Sequence, residues 1–468
     1  MRSKLGIVIV FAVSLSSPIV RGAESLSGEK VLPLHDGRDA YTPAVAFVKD
    51  GYLVAWQSGR LAPGDLREGL KFNGDIVGCR VSKIGDVLSK EPFVICGAKD
   101  LQQRPRIAAG KDVALVVWQD LRNGKDWDVY AARVSPEGKV LDPDGVLVSG
   151  GAHNQAKPNV AWDGTTFIVV WQDYRGGKKY EVYAARVDTA GKVLEPDGIK
   201  LSDQPVACYD PAVASRGDGM SFVIWTDWWA PHGPGPNTGS DYGAKVCETV
   251  ILVDGKPEGQ PFAIHDGDDG RRPNPGINNT PLFAAAGKDS YLVAWRTERP
   301  VGRGNGGIVA NAQLFDTKGQ SAPKTFFTLS GEQHRITQAD LTWDGSDFVA
   351  AWTEMRTLGG GRPRQEHVFA TRIGADGKRI GRLHLLVGSA LAGKDDWAMP
   401  FPQDKRPWKY EGPDYGSTAR ASKLPDAPPA ANAAVASDGA GTSLIAYEKH
   451  PETGDTPIKI GFRMLREK

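Results

Sequence analysis

Arg104, Lys157 and Asp210 stand 53 residues apart, each immediately before a proline. Charged groups recurring at one interval can meet at one point only if the chain returns there once per repeat. Taken along the whole chain as the residue that opens a Pro-x-Val pattern, the same place holds Thr42, Arg104, Lys157, Asp210, Asn274, Gln338 and Asn432, all of them polar. Tyr41, Gln103, Tyr209, Arg272 and Arg335 stand beside them. With more cations than acids, such a set suits holding an anion. A lyase acting on a uronate polymer needs a base for the proton next to the carboxylate and cations for the charge that develops. His153, Tyr209 and His265 are the candidate bases; Arg104, Arg272 and Arg335 are the candidate cations. A glycoside hydrolase needs two acids across the bond, and Asp210 is the only acid of the set.

The elements that must position these residues recur with them. Arg104–Gly150 and Lys157–Asp203 are two copies of one block: Pro-x-Val-Ala, a turn, an apolar run ending in Trp, a polar loop, Val-Tyr-Ala-Ala-Arg-Val, a Gly turn and a last apolar run. Short runs rich in Val, Ile, Tyr and Trp between Gly, Asp, Asn and Pro are strands. Four strands per block of this length predict a β-propeller blade. The aromatic that ends the second strand falls at Trp56, Trp118, Trp171, Trp225, Trp295, Trp352 and Tyr447, which predicts seven blades. The chain ends just after the third strand of the seventh, so residues near Val31–Leu34 are expected to supply the missing outer strand and close the ring, removing its open edges. The fold class expected is all-β, a single seven-bladed propeller over residues 24–468, with a long loop insertion at about 391–430.

Bulk properties set outer limits. A formal net charge of +1 over 468 residues gives no reason to expect a nucleic-acid partner. Arg2 and Lys4 precede an apolar run from Leu5 to Val13, followed by small residues up to Ala23. That pattern predicts a signal peptide over residues 1–22, a secreted or periplasmic location, and no membrane insertion after cleavage. Export would permit the four cysteines to pair: Cys79 with Cys96 on neighbouring strands, and Cys208 with Cys247 in the fourth blade. A monomer without a cofactor or metal is expected, because neither a phosphate-binding glycine loop nor a Cys-x-x-Cys pair is present.

Two kinds of residue stand out against the repeat. Trp-x-Asp-x-Arg occurs as Trp118, Asp120, Arg122 and again as Trp171, Asp173, Arg175, and the turns Asp142–Gly145 and Glu195–Gly198 repeat with it. Chemistry is rarely needed in several copies, so these are read as structural. The insertions, by contrast, fall in the loops joining second to third strands and in the connections between blades, which share one face. They carry Trp228, Trp229, Trp397 and Trp408, aromatics the repeat does not require and which suit stacking on sugar or a partner surface.

The Val-Val-Trp-x-Asp-x-Arg and Tyr-Ala-Ala-Arg-Val runs resemble the repeats of secreted bacterial propeller proteins, over nearly the whole mature chain. The resemblance implies a fold and no activity. The chain lacks the Ser-x-Asp-x-Gly-x-Thr-Trp boxes of sialidases and the Gly-His and Trp-Asp spacing of Trp-Asp repeats. The function expected is an exported binding module that recognises a glycan, such as an acidic polysaccharide, or a cell-surface protein through its loop-rich face. The alternative is a polysaccharide lyase or hydrolase at the channel mouth. The ligand-binding residues expected are Arg104, Lys157, Tyr209, Asp210, Arg272, Asn274, Arg335, Trp228, Trp229, Trp397 and Trp408.

Overall fold

A computed structural model describes residues 24–59, 74–203, 205–229, 244–264, 278–298, 308–322, 325–329, 335–356, 365–386, 399–400, 430–451 and 456–467. The signal peptide expected at 1–22 and nearly all of the 391–430 insertion lie outside them. Every described element is a strand, and the strands form seven antiparallel blades. The first blade is β3 (Ala40–Val48), β4 (Gly51–Ser58), β5 (Asp75–Ser82) and β6 (Phe93–Cys96). The second is β7 (Gln102–Ala109), β8 (Ala114–Asp120), β9 (Asp128–Val134) and β10 (Val146–Ser149). The third is β11 (Gln155–Trp162), β12 (Phe167–Asp173), β13 (Glu181–Val187) and β14 (Ile199–Lys200). The fourth runs from β15 (Ala207–Ser215) through β16 (Met220–Trp229) and β17 (Ala244–Val253) to β18 (Lys256–Ile264). The fifth comprises β19 (Asn278–Ala286), β20 (Tyr291–Glu298), β21 (Ile308–Phe315) and β22 (Phe327–Thr328). The sixth comprises β23 (Arg335–Trp343), β24 (Asp347–Arg356), β25 (Gln365–Gly374) and β26 (Arg379–Leu385), with β27 (Met399–Pro400) added to its edge.

The seventh blade closes the ring as the chain ends suggested. Its own strands are β28 (Ala430–Ser437), β29 (Thr442–Lys449) and β30 (Lys459–Glu467), and the outer strand comes from β1 (Glu24–Leu26) and β2 (Lys30–Val31). Leu32 continues the pairing by donating its N–H to the Ile460 carbonyl at 2.9 Å. The borrowed strand thus starts earlier than the Val31–Leu34 stretch expected. Two buried polar contacts fix it. Arg372 of the sixth blade, 2% exposed, reaches Glu24 at 3.1 Å and also pairs with Asp344. Glu29 accepts the Tyr447 hydroxyl at 2.6 Å and pairs with Lys449. Tyr447 stands where the other blades have Trp, and the N-terminal segment brings the acceptor its hydroxyl needs.

Each blade is apolar on both faces because each packs between two neighbours, and the buried residues accordingly sort into seven clusters, one per inter-blade space. The second-strand aromatics are the wedges, all 1% exposed or less. The Trp-x-Asp-x-Arg motif is structural. Trp118 Nε1 donates to Asp120 at 2.7 Å, Arg122 pairs with the same carboxylate at 2.7 Å, and its guanidinium lies 3.8 Å from the Tyr130 ring centre. Trp171, Asp173, Arg175 and Tyr183 repeat the arrangement. The Asp142 turn also serves the scaffold, its carboxylate taking Arg133 at 2.8 Å.

The expected disulfides do not form: Cys79, Cys96 and Cys208 are all free and buried. Register explains it. Cys96 lies opposite Ile76, three residues along β5 from Cys79, which at about 3.3 Å per residue separates them by roughly 10 Å. Cys208 and Cys247 flank β16 from opposite sides, facing Asp227 and Thr226, about two strand spacings apart. Disulfides need Cα atoms within roughly 7 Å. Burial pushes the Cys79 thiol up to about 12 and Cys96 up to about 11, so both are inert.

Two measurements check this account. Deleting residues 24–32 should lower the melting temperature and promote aggregation through the bared edge of β30; an unchanged melt would contradict the closure. Thiol titration of the denatured, unreduced protein should find at least three thiols per chain, and two or fewer would show that a bond forms after all.

Candidate functional site

The site is built by an irregularity that every blade shares. The innermost strand slips register where it meets the second-strand aromatic, so that Arg104 and Pro105 together oppose Trp118; the same shift recurs in six blades, and in the sixth it falls just beyond the aromatic, between Ile336 and Gln338. Such a bulge needs one residue in the left-handed region. Thr42, Arg104, Lys157, Asp210 and Asn432 occupy it, with φ between 48° and 56°. The N–H that each bulge turns away from its own blade is held by the neighbour where a bond is formed across: Thr42 N–H to Glu448 at 2.7 Å, Lys157 N–H to Gln119 and Asp210 N–H to Gln172 at 3.2 Å. Glu448, Gln119 and Gln172 all follow the second-strand aromatic of the preceding blade. Thr42, Arg104, Lys157, Asp210 and Asn432 therefore share one position for a backbone reason.

Around that ring the expected residues separate. Arg104 is exposed. Lys157 and Asp210, from adjacent blades, form an ion pair with each side chain 36% exposed. Tyr209 packs on Tyr180 at 5.4 Å, Tyr180 on Tyr174 at 4.9 Å, and His153 sits edge-on to Tyr174 at 5.6 Å. Three half-buried tyrosines and an exposed histidine thus form a row from the ion pair outward over the third blade; burial raises the Tyr209 phenol above its usual value. Trp228 and Trp229 are not loop residues: they extend β16, opposite Lys245 and Ala244 of β17. Arg335 opens β23 opposite Met355. Arg272, Asn274, Trp397 and Trp408 lie outside the described residues. In the fifth blade the shift falls between Pro281 and Phe283, so Asn274 is not the equivalent of Arg104; in the sixth, Gln338 is already paired with Thr353 beyond its bulge.

One step deeper is a second ring that the sequence reading passed over. Ala44, Arg106, Asn159, Ala212, Phe283, Asp340 and Ala434 all pair with the residue just before the second-strand aromatic. They are the x of Pro-x-Val where that pattern holds, which is the signal that could have found them. On the axis they and their neighbours enclose a cavity of about 190 Å³ whose polar lining includes Arg106, Asn159, Gln338, Asp340 and Thr342. Arg106 lies 5.5 Å from the Phe283 ring centre and donates to the Pro105 carbonyl at 3.3 Å. Asp340 accepts two N–H groups from free inner-strand edges, its neighbour Leu341 at 2.9 Å and Val435 of the seventh blade at 2.8 Å. Burial raises its carboxyl to about 7, against the pull of the Val435 N–H, Arg106 and the Leu341 N–H. No group of three or more metal-ligating side chains occurs among the described residues.

No known family matches the chain, and no curated protein matches it. Among solved structures, a protein of unknown function from Dyadobacter fermentans is 11% identical with a TM-score of 0.44, over 95% of this chain and 100% of that one. An α-L-arabinofuranosidase from Fusarium graminearum bound to an iminosugar inhibitor is 12% identical with a TM-score of 0.42, over 94% and 98%. A thermostable family-43 glycoside hydrolase is 12% identical with a TM-score of 0.39, over 80% and 99%. Likenesses this slight bear on form alone. The two of stated activity are glycoside hydrolases, against the expected lean away from an enzyme and the choice of a lyase if there is one. His153 sits against Tyr174 and Lys157 is engaged by Asp210, while His265 and Arg272, a base and a cation expected of a lyase, lie outside the described residues. Among the described residues no base stands beside two available cations.

The raised Asp340 carboxyl makes a stability prediction. Its proton is held more tightly in the folded than in the unfolded chain, so its contribution is fully present below about pH 4 and is lost as pH rises to about 7. In urea denaturation the stability of Asp340→Asn relative to wild type should therefore climb across that window, by a few kcal/mol at most. A constant difference from pH 4 to 8 would contradict the shift.

Proposed function

We propose that the loop-rich face engages a glycan chain that runs from the axial mouth across the tyrosine row, in a protein that is exported. The observation that carries this reading is the succession Tyr209, Tyr180, Tyr174 and His153, with neighbouring ring centres 4.9 to 5.6 Å apart, leading away from the Lys157–Asp210 pair. Half-buried rings are fixed before a ligand arrives, so stacking a sugar on them costs little side-chain entropy. An ion pair open to solvent offers both donors and acceptors to hydroxyl groups. Because Asp210 offsets Lys157, this mouth suits a neutral saccharide better than the acidic polymer expected from sequence. Export rests on Arg2, Lys4 and the apolar run that follows them.

Hydrolysis of the bound glycan is the second reading, favoured by two carboxyl groups in unlike settings at the axis. Burial raises the Asp340 carboxyl to about 7, whereas Asp210 is ion-paired above it. Carboxyl groups in contrasting environments are the pattern of acid and base division in glycosidases.

Affinity electrophoresis against neutral and acidic plant and microbial polysaccharides tests both readings. Tyr180→Ala and Tyr209→Ala should each weaken binding of the preferred neutral polymer about fivefold, with little dependence on salt, as expected for roughly 1 kcal/mol of ring contact. Release of reducing ends from that polymer, lost in Asp340→Asn, would support hydrolysis. Retention of no polymer would sink the proposal, and preference for polyanions with steep salt dependence would return the acidic glycan in its place.

A further inference from the structure

We propose that the axial cavity is a binding site for a small monoanion, a short carboxylate or an inorganic anion of similar size, with Arg106 as its counter-charge. Three observations meet there. Arg106 is a cation set inside the ring, and among the described residues no carboxylate lies within ion-pair reach of it and its side chain donates only to the Pro105 carbonyl. Burial lowers its affinity for a proton, with Asp340 opposing that effect and Arg104 adding to it. A guanidinium taken out of water without an anion is costly, whereas its planar fork is shaped to receive a carboxylate.

The second observation is room. The cavity, about 190 Å³, lies beside that guanidinium and is lined by Asn159, Gln338 and Thr342, which supply further polar groups. Phe283 covers one side of Arg106 at 5.5 Å and leaves the edge of the fork as the place for an anion. This volume admits a molecule of the size of acetate, and none of Tyr174, Tyr180, Tyr209 or His153 lines it, so the site is distinct from the tyrosine row.

The third is a titratable neighbour. The ring positions level with Arg106 are Ala44, Asn159, Ala212, Phe283, Asp340 and Ala434, so Asp340 is the one acid among them. Arg104 and the Lys157–Asp210 pair stand at the mouth above. When Asp340 is ionised it repels an incoming anion and competes for Arg106. When it is protonated that repulsion is gone, while its two backbone donors remain held. Occupancy should therefore rise as pH falls through about 7.

The test uses the full chain and carboxyl-labelled acetate, followed by carbon NMR and calorimetry at pH 6 and pH 8, with ionic strength held by a bulky sulfonate salt that the cavity cannot admit. Wild type should bind one acetate, several-fold to tenfold more tightly at pH 6. Arg106→Met, which keeps the aliphatic stem, should lose binding at both pH values. Asp340→Asn should bind at pH 8 about as well as wild type does at pH 6. Absence of saturable binding at pH 6, equal binding by Arg106→Met, or a pH dependence that survives in Asp340→Asn would each overturn the proposal. The last of these holds even if Arg106→Met fails to fold.

Discussion

The bulge at the inner end of each blade is the constraint from which the site follows. A non-glycine residue in the left-handed region costs on the order of 1 to 2 kcal/mol, and a bulge leaves an N–H without its ladder partner. The neighbouring blade answers the second cost: Glu448, Gln119 and Gln172 reach across and accept that N–H. The proline that follows in the first four blades has no N–H to satisfy. One local defect thus stitches blade to blade, and the Thr42–Glu448 bond does so across the point where the two ends of the chain meet. It also presents Arg104, Lys157 and Asp210 at the mouth and sets Arg106 and Asp340 on the axis below.

Charge is handled differently at three depths of the molecule. Between blades, Asp120 and Asp173 each hold both an indole N–H and an arginine, so the carboxylates of the repeated motif are engaged within it. In the fourth blade Asp227 keeps the indole partner but the arginine place is taken by Trp229, and burial raises that carboxyl. At the closing seam, Arg372 gathers Asp344 and Glu24 in a buried cluster, an arrangement costly to break from one side. Around the axis charges are left incompletely matched, with Arg104 exposed above and Arg106 facing a cavity. Unmatched groups on a rigid frame are the ones available to a ligand.

The tyrosine row and the axial cavity draw on different physics. The row offers apolar faces fixed by mutual packing, which suits a sugar and is insensitive to salt. The cavity offers a half-buried cation near an acid whose carboxyl burial raises to about 7, which would suit a small anion and respond to pH.

The architecture was legible in the residues because a blade is a local object. Alternation, turn residues and a second-strand aromatic recur within about 53 positions, and the return of the N-terminal stretch to the last blade follows from a missing fourth strand. The structural role of Trp-x-Asp-x-Arg was legible for the same reason, its partners lying two to four residues apart. What tertiary structure decided was every relation between blades. Lys157 meets Asp210 only because adjacent blades bring residues 53 apart within reach, which turned an apparent cationic surplus into a compensated pair. Arg106 and Asp340 share an axis that no spacing in the chain announces. The cysteines looked adjacent by strand, but register, a property of pairing and not of order, set Cys79 three residues from the position opposite Cys96. The equivalents of Arg104 in the fifth and sixth blades were misplaced because the Pro-x-Val pattern lapses there and only strand pairing marks the bulge. Periodicity specifies the repeat; how neighbouring repeats satisfy one another's unpaired groups is settled only when the ring closes.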